Sequence, residues 1–158
     1  MMNPVYHRKH PVRPRENGMP GLLRTDDLVR MMEETEYEFL RSRGLSVVMR
    51  DQRGVIGFPR MDTEIEICEL TGGGEELDIW MALSLNDGVR LRYTFRIERQ
   101  SLVVARGSYT VACCRFPPGR PPLAILLPQP VRARLPAAPD DCAADGPAEN
   151  PFRPARPL

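Results

Sequence analysis

The chain has 158 residues, 42% of them hydrophobic, with 22 basic and 21 acidic side chains. That length fits one domain with a modest core, and the near-cancelled charge gives no global field that would draw a nucleic acid. No apolar run approaches a membrane span and the stretch from Met1 to Arg15 lacks the apolar centre of a secretory signal, so the expectation is a soluble, cytoplasmic protein without membrane contact.

The first element is a short extended stretch from Val5 to Pro14. Its Arg8, Lys9, Arg13 and Arg15, interrupted by Pro11 and Pro14, read as a basic strand edge rather than a nucleic-acid arm. Asn17-Gly18 and Pro20-Gly21 then mark a turn-rich loop. Thr25 is the expected N-cap of a helix, with Asp26 and Asp27 complementing the positive end of its dipole. The helix is expected to run to about Arg43, where Gly44 stops it and Arg41 and Arg43 suit the negative end.

At 100° per residue Leu28, Val29, Met32, Phe39 and Leu40 share one apolar face, with Met31 and Thr35 at its margin. Glu36 falls inside that arc and Glu33 on its rim, whereas Glu34 and Glu38 point away. An ionised carboxylate inside an apolar arc is expensive, so Glu36 must find a partner or titrate upward.

After Gly44 the apolar period becomes two. Ser46 to Arg50 reads as a short strand. Met61, Thr63, Ile65 and Ile67 form the inner face of the next one, and Gly72-Gly73-Gly74 turns the chain. Leu77, Ile79, Met81, Leu83 and Leu85 make another inner face. Asn86-Asp87-Gly88 is a hairpin signal, after which Leu91, Tyr93, Phe95 and Ile97 return, with Arg90, Arg92, Thr94 and Arg96 on the solvated side. Ser101 to Phe116 reads as one last long strand. Leu123 to Leu127 is apolar enough to dock as an edge.

Twelve of the 17 prolines fall from Pro117 onward. The predicted folded domain is therefore 1–128, and 129–158 is an expected disordered tail of Pro, Ala and Arg. Cysteines stand at 68, 113, 114 and 142 with no C-x-x-C pair and no neighbouring His. That spacing favours reduced thiols over zinc. No metal or cofactor is called for.

One helix followed by four or five long strands joined by tight turns predicts an α+β fold. Its antiparallel sheet curls around the single central helix, since only the helix can cover the sheet's apolar face. This is the hot-dog architecture. The edges it leaves open predict pairing of subunits, which the resemblance described next implies is a homodimer or a tetramer of dimers.

Particular segments carry a resemblance over about residues 5 to 128. The stretch from Glu16 through Met32-Glu33-Glu34-Thr35-Glu36-Tyr37-Glu38-Phe39-Leu40 to Leu45 resembles the first loop and central helix of hot-dog acyl-CoA thioesterases, including the 4-hydroxybenzoyl-CoA and enediyne polyketide members. Gly54-Val55-Ile56, Thr63 to Ile67, Glu76-Leu77-Asp78 and Arg120-Pro121-Pro122 add to it. The resemblance implies hydrolysis of an acyl-CoA or acyl-carrier-protein thioester, in polyketide or other secondary metabolism. The alternatives on the same pocket are a cyclase or dehydratase acting on a carrier-bound thioester, or a non-catalytic acyl-thioester-binding module.

The family's loop carboxylate aligns with Gly18, and the Asn of the enediyne members also falls there, with Asn17 adjacent. The helix Arg of those members aligns with Glu36. Fluoroacetyl-CoA thioesterase and others instead place a carboxylate eight residues after a residue at the helix start, the spacing of Thr25 and Glu33. Their strand His has no equivalent, the histidines here being His7 and His10. The candidate catalytic set is thus Glu33 and Thr25, implied by that spacing, together with Glu36, which fits by its apolar setting. Asn17, Gly18, Asp26 and Asp27 are expected to line the substrate.

The chemistry such residues offer is specific. Unpaired N–H groups near Thr25 and Asp26 can hold a thioester carbonyl as its oxygen becomes anionic. A carboxylate further along the helix can activate water or attack as a nucleophile. The same residues also have plain structural uses, Thr25 as a cap, Glu33 as a solvated charge and Glu36 in an ion pair. Met31 and Met32 either fill the core or line an acyl tunnel.

Overall fold

The computed structural model describes residues 5–12, 22–72 and 74–135. The elements run β1 (Val5–Pro11), α1 (Thr25–Ser42), β2 (Val48–Asp51), β3 (Gly54–Gly57), β4 (Arg60–Ile67), β5 (Glu76–Asn86), β6 (Arg90–Arg99), β7 (Leu102–Ala112), β8 (Cys114–Phe116), β9 (Leu123–Ala124) and α2 (Gln129–Arg134). Every strand pairing is antiparallel. The architecture is the α+β hot-dog fold.

A five-stranded sheet in the order β1-β5-β6-β7-β4 carries α1, and a four-stranded sheet β2-β3-β8-β9 continues from it. The long last strand expected from Ser101 to Phe116 divides at Cys113, whose amide turns aside to the Val89 carbonyl at 2.8 Å. β7 stays in the large sheet while β8 joins the small one. The docking of Leu123 and Ala124 on β8 supplies the small sheet's last edge.

Register explains how the helix sits. The row Tyr6–Met81–Phe95–Gly107–Ile65 crosses all five strands on the helix side, with Arg8–Ile79–Ile97–Ala105–Ile67 beside it. Gly107 and Ala105 leave little side-chain height on β7, so α1 lies close there and Met32 occupies the space a Cβ at 107 would take. Phe39 packs edge-on against Tyr93, with ring centroids 6.4 Å apart, and tilted against Tyr6 at 5.8 Å. Tyr93, Tyr109, Phe39 and Phe95 are all buried and contribute most of the aromatic area in the core.

The helix termini obey their local chemistry, with one change. Arg24, not Thr25, is the cap residue, in an extended conformation. Asp27 reaches back to accept its backbone N–H at 2.8 Å, a carboxylate at the third helical position serving the cap amide. At the other end Gly44 adopts φ +69°. Its amide donates to the Arg41 carbonyl at 2.9 Å and the Leu45 amide to the Leu40 carbonyl at 2.8 Å, the paired bonds of a glycine-terminated helix.

Three expectations need correction. The buried face of α1 is Leu28, Met31, Met32, Thr35, Glu36, Phe39 and Leu40, so its centre lies nearer Met31 and Thr35 than expected and Val29 is only half-buried. Glu34 and Glu38 do not simply face solvent, because Arg8 of β1 lies 3.4 Å and 3.3 Å from their carboxylates. On β4, Met61 and Ile67 are 65% and 42% exposed. Ile65 and Ile67 do share the helix side of the sheet, but β4 is its edge and α1 covers the central strands.

The chain also keeps its structure past 128. Leu127, Val131 and Leu135 are buried and stand four residues apart, one stripe of the helical period. Pro130 in the first turn of α2 is compatible with a helix start, and Arg134 donates to the Gly44 carbonyl at 2.9 Å. Residues 129–135, expected in the tail, are thus part of the fold; residues 136–158, including Cys142, lie outside the described residues. Among the described residues no helix is long and apolar enough to cross a membrane.

Candidate active site

Two carboxylates stand three residues apart on α1 and meet different surroundings. Glu36 points into the core and is 5% exposed. Tyr109 of β7 donates its hydroxyl to Glu36 Oε1 at 2.8 Å. The other oxygen, Oε2, and the Tyr93 hydroxyl are both buried with no hydrogen-bond partner among the described residues. Burial pushes the Glu36 carboxyl up to about 7; the Tyr109 bond and the Arg60 guanidinium pull it down, and the Glu33 carboxylate raises it. The expectation that Glu36 must pair or titrate upward is met by both at once. Its partner is a neutral phenol of the same chain.

Glu33 lies at the helix margin facing β4, its side chain 28% exposed. Arg60, at the start of β4, donates to its Oε1 in a short ion pair. The Arg60 guanidinium also sits 5.4 Å above the centroid of the Tyr109 ring, within range of a cation–π contact. Val29, Glu33 and Tyr37 follow one another at four-residue intervals, so they share the helix flank that looks toward the open edge of the sheet. Tyr37 is 42% exposed there.

The helix start is a separate locus. Leu28 makes the first intrahelical bond, to the Arg24 carbonyl, so the amides of Thr25 and Asp26 at the start of the first turn lie ahead of the helix's own hydrogen-bond ladder. An open, shallow groove passes beside them, lined by Arg24, Thr25, Asp26, Val29 and Ile67. Asp26 lies 3.7 Å from the Arg24 guanidinium, and Asp27 is engaged by the Arg24 amide. Two carboxylates at this end disfavour an anionic ligand, whereas a carbonyl oxygen is compatible with it.

Thr25 and Glu33 are eight residues apart on one helix, about 12 Å along its axis. Reacting groups need approach to about 3–3.5 Å, so one chain does not present both to the same carbonyl. Asn17 and Gly18 lie outside the described residues. His7 contacts Asp78 at 2.7 Å and stacks on Trp80 with centroids 4.1 Å apart, and Arg8 lies 2.6 Å from His10 Nδ1; neither imidazole joins Glu33. Burial raises the Cys113 thiol to about 11, which keeps it out of the nucleophilic thiolate form.

Arg60 and Tyr109 were not legible as site residues. Arg60 follows Phe58-Pro59 in what reads as a linker, and Tyr109 is one aromatic among several on a long strand. Only the register that sets Thr63 opposite Tyr109, with a bulge at Met61, brings them under α1.

No protein-family model matches the sequence, and no curated relative does. Solved structures do match the fold. The 1,4-dihydroxy-2-naphthoyl-CoA thioesterase of Synechocystis superposes with a TM-score of 0.68 at 18% identity, covering 90% of this chain and 99% of that one. The dynemicin thioesterase gives 0.69 at 20% identity over 83% and 94% of the two chains. A 4-hydroxybenzoyl-CoA thioesterase complexed with 4-hydroxybenzoyl-CoA gives 0.67 at 12% identity over 84% and 99%. This chain has the hot-dog fold of those thioesterases.

Proposed function

We propose that this protein is a thioesterase that hydrolyses an acyl thioester of coenzyme A or of an acyl carrier protein, with Glu33 as the residue that activates water. The observation that carries the reading is the placement of Glu33: a part-exposed carboxylate on the central helix of a hot-dog fold, oriented by Arg60 at the open edge of the sheet. Glu36, enclosed by Tyr109 and the core, has no route to a substrate and is assigned a supporting role.

The helix-start amides are the proposed oxyanion donors. Since about 12 Å separates them from Glu33 of the same chain, the working site pairs the start of one α1 with Glu33 of a second copy. The exposed Met61 and Ile67 on β4, an edge strand, offer the apolar surface for that pairing in a homodimer or a tetramer of dimers. Sedimentation at micromolar concentration is expected to show at least a dimer; a monomer alone would remove the composite site.

The direct test is hydrolysis of a panel of aromatic, polyketide and fatty acyl-CoA and acyl-carrier thioesters, with Glu33→Gln as control. Turnover is expected to fall roughly 10²- to 10⁴-fold, the usual worth of a positioned acid–base group. Equal turnover by the variant would eliminate Glu33 as the base. A second reading, a non-catalytic acyl-thioester-binding module, is favoured by one feature: the Glu33 carboxylate is already engaged by Arg60. Binding of acyl-pantetheine without hydrolysis by the wild type would establish it. Cyclisation or dehydration would appear as a product other than the free acid. A cytoplasmic location and a role in polyketide or other secondary metabolism belong to the same proposal.

A further inference from the structure

The buried half of the carboxylate cluster does not touch the substrate in the chemistry above, yet it is joined to Glu33 through a continuous set of contacts. Glu36 accepts from the Tyr109 hydroxyl, the Tyr109 ring lies under the Arg60 guanidinium, and Arg60 holds Glu33. The groups that face Glu36 are Tyr109 of β7, Tyr93 of β6, Arg60 of β4, and Glu33 and Tyr37 of its own helix. One cation therefore serves two carboxylates, one on the helix margin and one beneath the helix.

We propose that Glu36 is a positioning residue for Glu33, acting through Tyr109 and Arg60, so that the proton on Glu36 decides how firmly Arg60 holds Glu33. With Glu36 protonated, the only carboxylate charge Arg60 meets in the cluster is that of Glu33, and the ion pair is closed. When Glu36 loses its proton, a buried negative charge appears beside the same guanidinium. Arg60 is then shared and Glu33 is released toward the water it would activate. The proton is carried on Oε2, the oxygen not engaged by Tyr109, and on ionisation it passes to bulk water. Coupling is reciprocal by thermodynamic necessity: if Glu33 and Arg60 bias the titration of Glu36, its titration biases them.

The inference rests on the thioesterase reading only for its effect on turnover, and the experiment separates the two. Side-chain carboxyl ¹³C resonances of the full chain are followed from pH 5 to 9, with Glu33→Gln and Glu36→Gln providing assignments. Glu36 is expected to titrate near neutrality, and the Glu33 resonance to show an inflection at the same midpoint. That inflection should vanish in Glu36→Gln. Tyr109→Phe keeps the ring beneath Arg60 but deletes the donor, so it should move the Glu36 midpoint upward; Arg60→Met should do likewise. Wild-type turnover should rise through that midpoint and the Glu36→Gln profile should lack the rise. A Glu33 resonance without the inflection, or matching pH–rate profiles for wild type and Glu36→Gln, overturns the proposal. If the wild type hydrolyses nothing, the thioesterase reading fails and the resonance experiment still decides the coupling. Should Glu36→Gln not fold, Tyr109→Phe carries the test alone, and an unmoved Glu36 midpoint overturns it.

Discussion

Gly107 lies so close beneath Met32 that a Cβ there would stand 2.8 Å from the Met32 sulfur, 2.9 Å from its Cε and 3.3 Å from the Glu64 carbonyl oxygen. Met32 is itself 1% exposed, so its end has no free space to enter. Gly107→Ala is expected to cost about 1–3 kcal/mol as an overpacked core does. The double variant with Met32→Ala should cost less than the sum of the two singles, because the shorter side chain relieves the clash. Denaturant unfolding of the four proteins measures this; strict additivity would show that the sheet, not Met32, limits the approach.

Glu36 makes stability depend on pH. Its folded-state value is raised to about 7 from an ordinary 4.5, mainly by burial. The neutral acid is thus favoured in the folded chain, and the stabilisation is complete below the unfolded value. It is lost as pH rises from about 4.5 through 7, where the unfolded chain has released a proton that the folded one retains. The amount is of order 3 kcal/mol at most for a shift of that size. Thermal unfolding of wild type should fall relative to Glu36→Gln across this interval; parallel pH curves would mean that Glu36 ionises normally.

The hairpin between β6 and β7 turns on Gln100 and Ser101, with φ of +48° and +70°. Side-chain-bearing residues pay about 1 kcal/mol each in that region, and Asn-Gly is the pair such turns favour. Gln100→Asn with Ser101→Gly is expected to raise the melting temperature. An unchanged or lower value would indicate that the turn is relaxed in solution.

Deleting everything after Pro128 removes α2 with its buried Val131 and Leu135 and the Arg134 bond to Gly44. Burial of two such side chains is worth about 3–6 kcal/mol before ordering costs, so that truncation should lower the melting temperature by several degrees. A chain ending at Leu135 should melt close to the full-length protein. If both truncations melt alike, α2 contributes nothing.

The sequence exposed the periodic parts of this molecule and concealed those that depend on distant pairing. The helix from Thr25, its stop at Gly44 and the inner faces of β5 and β6 follow from local spacing and turn chemistry. The awkward burial of Glu36 was visible in the same way, as a carboxylate inside an apolar arc. Its partner was not, because Tyr109 arrives 73 residues later through strand register. Arg60 escaped for a related reason: the bulge at Met61 offsets it from the alternation of β4. The stripe Leu127–Val131–Leu135 was periodic but lay among prolines, and composition outweighed spacing there.

The bond from Arg134 to the Gly44 carbonyl fastens α2 to the far end of α1, an 18-residue helix and so about 27 Å from the groove at Thr25. An experimenter gains a convenient handle from this. A fluorophore or surface tether carried at the exposed position 132 would sit on a support remote from the groove, and would report on ligand arrival without obstructing it.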